Sequence, residues 1–113
     1  MNKKLERIFN QIIIDAKDNI SLGEYDAAFL LLEKAHVIGQ LYVVQHTTTH
    51  YYMLKIGFLR KDFKEIIGQL VRIPLGIIGS LVGKVPMGNT GGSNVSMFKK
   101  MVLSDEIKNI INK

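Results

Sequence analysis

The stretch 23-GEYDAAFLLLEKAHVIGQLYVVQHTTTHYYMLKIGFL-59 decides the fold, because two helical patterns run through it with only a short link between them. Tyr25, Ala28, Phe29, Leu32 and Ala35 recur at steps of three and four, which predicts an amphipathic helix from about Glu24 to Val37. Glu24 and Asp26 lie at its positive end, and Gly39 is a plausible stop. The next periodic segment covers residues 41 to 59. Its threonines at 47 to 49 lower helix propensity, but Leu41, Val43, Val44, Leu54, Ile56 and Phe58 supply the apolar material for a buried helix. A link as short as residues 38 to 40 predicts that the two helices turn back on one another as an antiparallel hairpin.

Upstream, Leu5, Ile8, Phe9, Ile12, Ile13, Ala16 and Ile20 predict a helix over 4 to 20 that ends at 21-SLG-23. Downstream, Asp62 is the N-cap candidate of a helix over 62 to 72, with Glu65 at the capping-box spacing. Pro74 predicts a break or kink there, followed by a short apolar segment to Val82. The string 83-GKVPMGNTGGSNVS-96 reads as a long Gly/Asn-rich loop, and Ser104 as the cap of a last short helix, 105-DEIKNIIN-112. The expectation is therefore one all-α domain over 1-113, a small bundle of four to five helices. The piece 23-GEYDAAFLLLEKA-35 has the small and aromatic residues of a tetratricopeptide-like helical hairpin, weakly echoed by 61-KDFKEIIGQLVRI-73.

Composition narrows the chemistry. With 113 residues, 47% of them hydrophobic, the chain can bury one core but not two. It has no cysteine, which excludes disulfides, thiolate metal sites and a thiolate nucleophile. The net charge of +5 is scattered along the chain rather than gathered on one reading element, so nucleic-acid binding is not favoured. In 66-IIGQLVRIPLGIIGSLVGKV-85, Gln69 and Arg72 interrupt the apolar run, which argues against stable membrane insertion, and a cytoplasmic protein is expected. Another protein, or a second copy of the chain, is the partner class left open.

Two polar groupings carry the functional reading. All three histidines, His36, His46 and His50, fall within fifteen residues. Glu33 and His36 are three apart, and His46 and His50 four apart, so each pair shares a helix face. If the hairpin closes, Glu33, His36, His46 and His50 converge as three imidazoles and a carboxylate, a set suited to zinc or non-haem iron. The open alternatives are a structural hydrogen-bond network with Gln40, Gln69 and the tyrosines, giving a non-catalytic scaffold or adaptor, and acid-base or anion-binding use of the imidazoles.

The second grouping is the glycine loop with its neighbours: Gln40, Gln69, Arg72, Gly88, Asn89, Thr90, Gly91, Gly92 and Asn94. Closely spaced glycines can turn several N–H groups toward a small anion, with Lys84 or Arg72 supplying charge. The loop lacks the spacing of a Walker A or dinucleotide motif, and His46-x-x-x-His50 lacks the adjacent glutamate of zinc proteases. No serine has a nucleophile-elbow context, so the chain reads as a binding protein rather than an enzyme.

Taken in order, 33-EKAHVIGQ-40, 46-HTTTH-50, 65-EIIGQLVR-72 and 85-VPMGNTGGSNVS-96 resemble the pattern of an uncharacterised bacterial domain family, domain of unknown function 3703, over nearly the whole chain. His36, Gly39, Gln40, His46, His50, Gly68, Gln69, Arg72, Pro86, Gly88, Asn89, Thr90, Gly91, Gly92, Asn94 and Val95 stand at the matching places, while Ser93 replaces a more familiar alanine. The resemblance implies no activity. It concentrates on the two polar groupings, and so implies that the loop folds over the histidine end of the bundle and closes a pocket there.

Overall fold

A computed structural model describes residues 1–112 and shows five α-helices, with no strand among the described residues. Helix α1 (Lys3–Ser21) starts at Asn2, whose side chain accepts from the Leu5 N–H, and buries Leu5, Phe9, Ile13, Ala16 and Ile20 at the predicted spacing. Helix α2 (Tyr25–Gly39) buries Ala28, Leu32 and Ala35, then its entire last turn from His36 to Gly39. Helix α3 (Val43–Arg60) returns alongside it, so the hairpin closes as the short link requires. Its inward face is the one that carries the paired histidines, with Ile56 the one fully buried member of the apolar set that marked the helix. Leu41, Val44 and Phe58 lie exposed, and the buried positions are His46, Thr49, His50, Met53, Ile56 and Gly57. The face is chosen by the histidines and Met53, not by the most hydrophobic residues.

Helix α4 (Phe63–Val82) begins at Asp62, whose carboxylate accepts from the Glu65 N–H at 3.1 Å. Of the predicted break or kink at Pro74, there is no break: the helix is continuous through it. A proline inside a helix removes one i to i−4 bond and normally costs about 3 kcal/mol or more. Here both halves are fastened to the rest of the protein, by Glu65 to Ser93, Gln69 to His50 and Gly91, and Arg72 to Val95 before Pro74, and after it by Ser80 to Gln40 and His46 and by the close packing of Gly76 on His46. Local propensity is thus overridden by tertiary anchoring. The short α5 (Asp105–Ile111) is capped by Ser104 as expected and packs on α2.

The continuous apolar core is built from α1, α2, α3 and α5. Helix α4 lies against α3 but adds almost nothing to that core. Its buried residues are Glu65, Ile66, Gln69 and Ser80, while most of its large apolar side chains face outward. By length and composition α4 is also the one described helix apolar enough to cross a bilayer, although its inward polar residues are committed to partners within the protein. Residues 83 to 104 leave the end of α4, cross the linked end of the α2/α3 hairpin and lead into α5.

A candidate three-histidine metal centre

His36 stands on the last turn of α2, and His46 and His50 on the first two turns of α3, so the tight link at residues 40 to 42 brings all three rings to one level. Their Nε2 atoms form a nearly equilateral triangle. The separations are 3.0 Å for His36–His46, 3.1 Å for His36–His50 and 3.1 Å for His46–His50. All three side chains are buried. Gly76 on α4 makes room for the His46 ring, since a Cβ there would lie 3.0 Å from its Cε1.

The opposite ring nitrogens settle the tautomers. His36 Nδ1 lies 2.6 Å from the Asn89 carbonyl, which can only accept, so the nitrogen donates. His46 Nδ1 lies 2.7 Å from Ser80 Oγ, whose own proton goes to the Gln40 carbonyl at 2.7 Å, leaving the hydroxyl oxygen to accept. His50 Nδ1 lies 2.5 Å from Gln69 Oε1. The Gln69 amide cannot be turned over, because its Nε2 donates to the Glu65 carboxylate and to the Gly91 carbonyl. Each Nδ1 therefore carries the proton, and each Nε2 presents a lone pair to the other two.

Burial keeps the rings neutral. Desolvation pushes His46 and His50 down to about 4, the charge of a protonated His46 adding to the effect on His50. Desolvation, then the neighbouring His50 and His46, hold His36 well below the ordinary histidine range. With no proton available between them, the three Nε2 contacts are not hydrogen bonds.

The glycine loop lies over this end of the bundle. Gly91, at φ +87°, runs so close to His36 that a Cβ would fall 2.5 Å from the ring's Cδ2. Gln40 pins the loop from below, donating to the Pro86 carbonyl and accepting from the Gly88 N–H. The Asn89 side chain ties the loop to itself, bonding the Ser96 and Lys99 carbonyls and the Gly91 N–H. Arg72 donates to the carbonyls of Gly68 and Val95, with its Nε buried and unpartnered. A cavity of about 110 Å³ is bordered by all three histidines and by Gln40, Arg72, Lys84, Asn89, Gly91 and Phe98.

The remaining sequence candidates fall elsewhere. Glu33 is not in the histidine group. It lines a second, apolar cavity with Thr90, Leu30, Val37 and Met101, and desolvation there raises the pKa of its carboxyl. Gly92 lies against Phe29 and the Asn94 side chain. The loop's N–H groups at Gly88, Asn89, Gly91, Ser93 and Val95 are spent on protein acceptors rather than gathered as an anion nest. Sequence reasoning missed the roles of Ser80, Gly76 and Glu65. The signal was present: Glu65, Gln69, Arg72, Gly76 and Ser80 follow one another at steps of three and four, a polar stripe on a helix otherwise read by its apolar residues. Glu65, expected to complete a capping box, instead turns its carboxylate to Gln69 and to the N–H and hydroxyl of Ser93.

The family model described as "Protein of unknown function (DUF3703)" matches residues 3–111, and the chain belongs to that family. No curated protein and no solved structure gave a significant match.

Proposed function

We propose that this family member binds one divalent transition-metal ion through the Nε2 atoms of His36, His46 and His50. The observation that carries the reading is the convergence of three lone pairs whose protons are all held on the opposite nitrogens. A purely structural histidine network would place a proton between at least one pair of rings, and each Nδ1 partner opposes that. Neutral, Nδ1-protonated imidazole is the form that binds metal, and fixing it with oxygen acceptors is the usual outer arrangement of such sites.

The donor set favours zinc. Points separated by 3.0–3.1 Å lie about 1.8 Å from their common centre, so an ion at zinc–imidazole distances of ~2.0–2.1 Å sits about 1 Å out of their plane. Three histidines with an open fourth position is a recurring zinc arrangement, whereas the non-haem iron triad needs a carboxylate that Glu33 does not bring to the group. Behind His50 the chain of Gln69 and Glu65 makes the imidazole a better donor by polarising its N–H. The guanidinium of Arg72 and the ammonium of Lys84 on the cavity wall favour an anion in the fourth position over a neutral ligand.

The test is metal titration of tag-free, chelator-treated protein. One equivalent of zinc is expected to bind, and cobalt in its place should give the visible absorption of a four- or five-coordinate site. His46→Ala/His50→Ala should abolish both signals. Wild-type protein that stays well below one equivalent in excess metal would rule the reading out.

A further inference from the structure

Helix α4 is amphipathic in the reverse sense: its polar stripe faces the protein and its apolar stripe faces out. Eight large apolar side chains between Phe63 and Val82 are 45% to 73% exposed. At 100° per residue they occupy one side of the helix, and Lys64 is the only charged residue among them. Phe63, Ile67, Leu70, Pro74, Ile77 and Leu81 follow one another at alternating steps of four and three, the spacing of a seam between packed helices. Scaled by the full areas of such side chains, the eight exposures amount to roughly 800 Å² of apolar surface, more than a lone chain usually leaves open and about what each partner buries in a standard interface.

We infer that the outer face of α4 is a two-fold interface between copies of this chain. Both the seam spacing and the area fit a second α4. A bilayer fits less well. Crossing one would pull Gln69, Arg72 and Ser80 away from their partners. A helix lying on a membrane surface carries Lys and Arg along its flanks, whereas α4 offers Lys64 alone, Arg72 being tied to Gly68 and Val95. Leu75 belongs both to the exposed stripe and to the wall of the histidine cavity, so the pairing sets the second copy at the edge of that cavity's mouth.

Sedimentation equilibrium of the whole chain tests this. The wild type is expected at twice the chain mass of 12.8 kDa at tens of micromolar. Ile67→Glu/Ile78→Glu should halve the mass while leaving the helical circular dichroism and the zinc stoichiometry unchanged, since neither side chain is part of the core. A monomeric wild type at 100 µM overturns the inference, as does a dimer indifferent to the double substitution. Co-flotation of the wild type with phosphatidylcholine/phosphatidylglycerol vesicles, lost in the variant, would assign the face to lipid instead. The mass and flotation results decide the interface alone; metal binding is decided by titration of the wild type.

Discussion

At the residue scale, the centre rests on which nitrogen of each ring holds the proton, and that choice is made by groups the metal would not touch. Ser80 gives the cleanest test. Ser80→Ala removes the acceptor for His46 Nδ1 and the donor to the Gln40 carbonyl without creating a large cavity, so the ring loses its fixed tautomer while His36 and His50 keep theirs. Zinc affinity should fall about 10- to 100-fold, measured by competition with a chromophoric chelator, with stoichiometry still one; unchanged affinity would show the hydroxyl to be incidental. The same burial that keeps the rings neutral makes the metal-free protein sensitive to acid. His46 and His50 accept protons near pH 6.5 when unfolded but only near 4 when folded, and His36 is lowered too, so the unfolded chain binds more protons between those values. Stability is full above about pH 6.5, declines as pH falls toward 4 and flattens below, at about 1.4 kcal/mol per pH unit for each proton taken up. Urea midpoints in chelator from pH 7.5 to 4 should show that slope, and a flat profile would contradict the buried neutral triad. The histidines were legible in sequence because a four-residue step on one helix and a short link to another suffice to place them together. Of their fixing partners, Gln69 was among the amides named for a histidine network, whereas Asn89 acts through a backbone carbonyl with no side-chain signature and Ser80 shows only as the last member of the polar stripe on α4.

At the element scale, the loop 83–104 and helix α4 act as the two walls of the centre, and tertiary contacts rather than local sequence hold each in place. The proline at 74 reads as a break or kink, yet the helix runs on past it because its inner stripe has partners on both sides of that residue. The loop reads only as Gly/Asn-rich, and its chain is stitched by Gln40, Asn89, Gln69 and Arg72. Gly91 is where this wall comes closest to the histidines. Gly91→Ala asks an L-residue to hold φ +87° with its Cβ inside the His36 ring contact, so the loop must lift or the ring must turn. Unfolding stability is expected to drop by about 2 kcal/mol or more, and zinc affinity with it, because the Asn89 carbonyl moves with the loop. A Gly91→Ala protein with wild-type stability and zinc affinity would show that the loop is not a wall of the site. Glycine-rich composition announced a special backbone, but which glycine touches which ring depends on the fold and could not be read from spacing.

For the whole molecule, the histidine centre lies where the apolar core stops. That core joins α1, α2, α3 and α5, whereas α4 and the loop are attached outside it, by the polar residues that surround the triad together with Ile66 against Gly57 and Gly92 against Phe29. The all-helical bundle was legible because periodicity and capping residues are local signals. The inside-out orientation of α4 was not, because its outer stripe is the more hydrophobic one and a single-chain reading assigns such a face to the core. This division has a thermodynamic consequence. An ion held by His36, His46 and His50 joins α2 to α3 directly and, through Ser80, Gln69 and Asn89, braces α4 and the loop, so it binds the folded chain far better than the unfolded one. At free zinc of a hundred times the dissociation constant, mass action adds about 2.7 kcal/mol of stability, which for a domain of this size raises the unfolding midpoint by roughly 10 °C. Thermal scans with and without one equivalent of zinc plus that excess should show the shift. Without metal, limited proteolysis should cut first within residues 83 to 104, the segment with the fewest apolar anchors. A His46→Ala/His50→Ala protein should show neither the metal-induced shift nor the metal-dependent protection. Equal shifts in wild type and double variant would mean that zinc stabilises the chain from some other place on its surface.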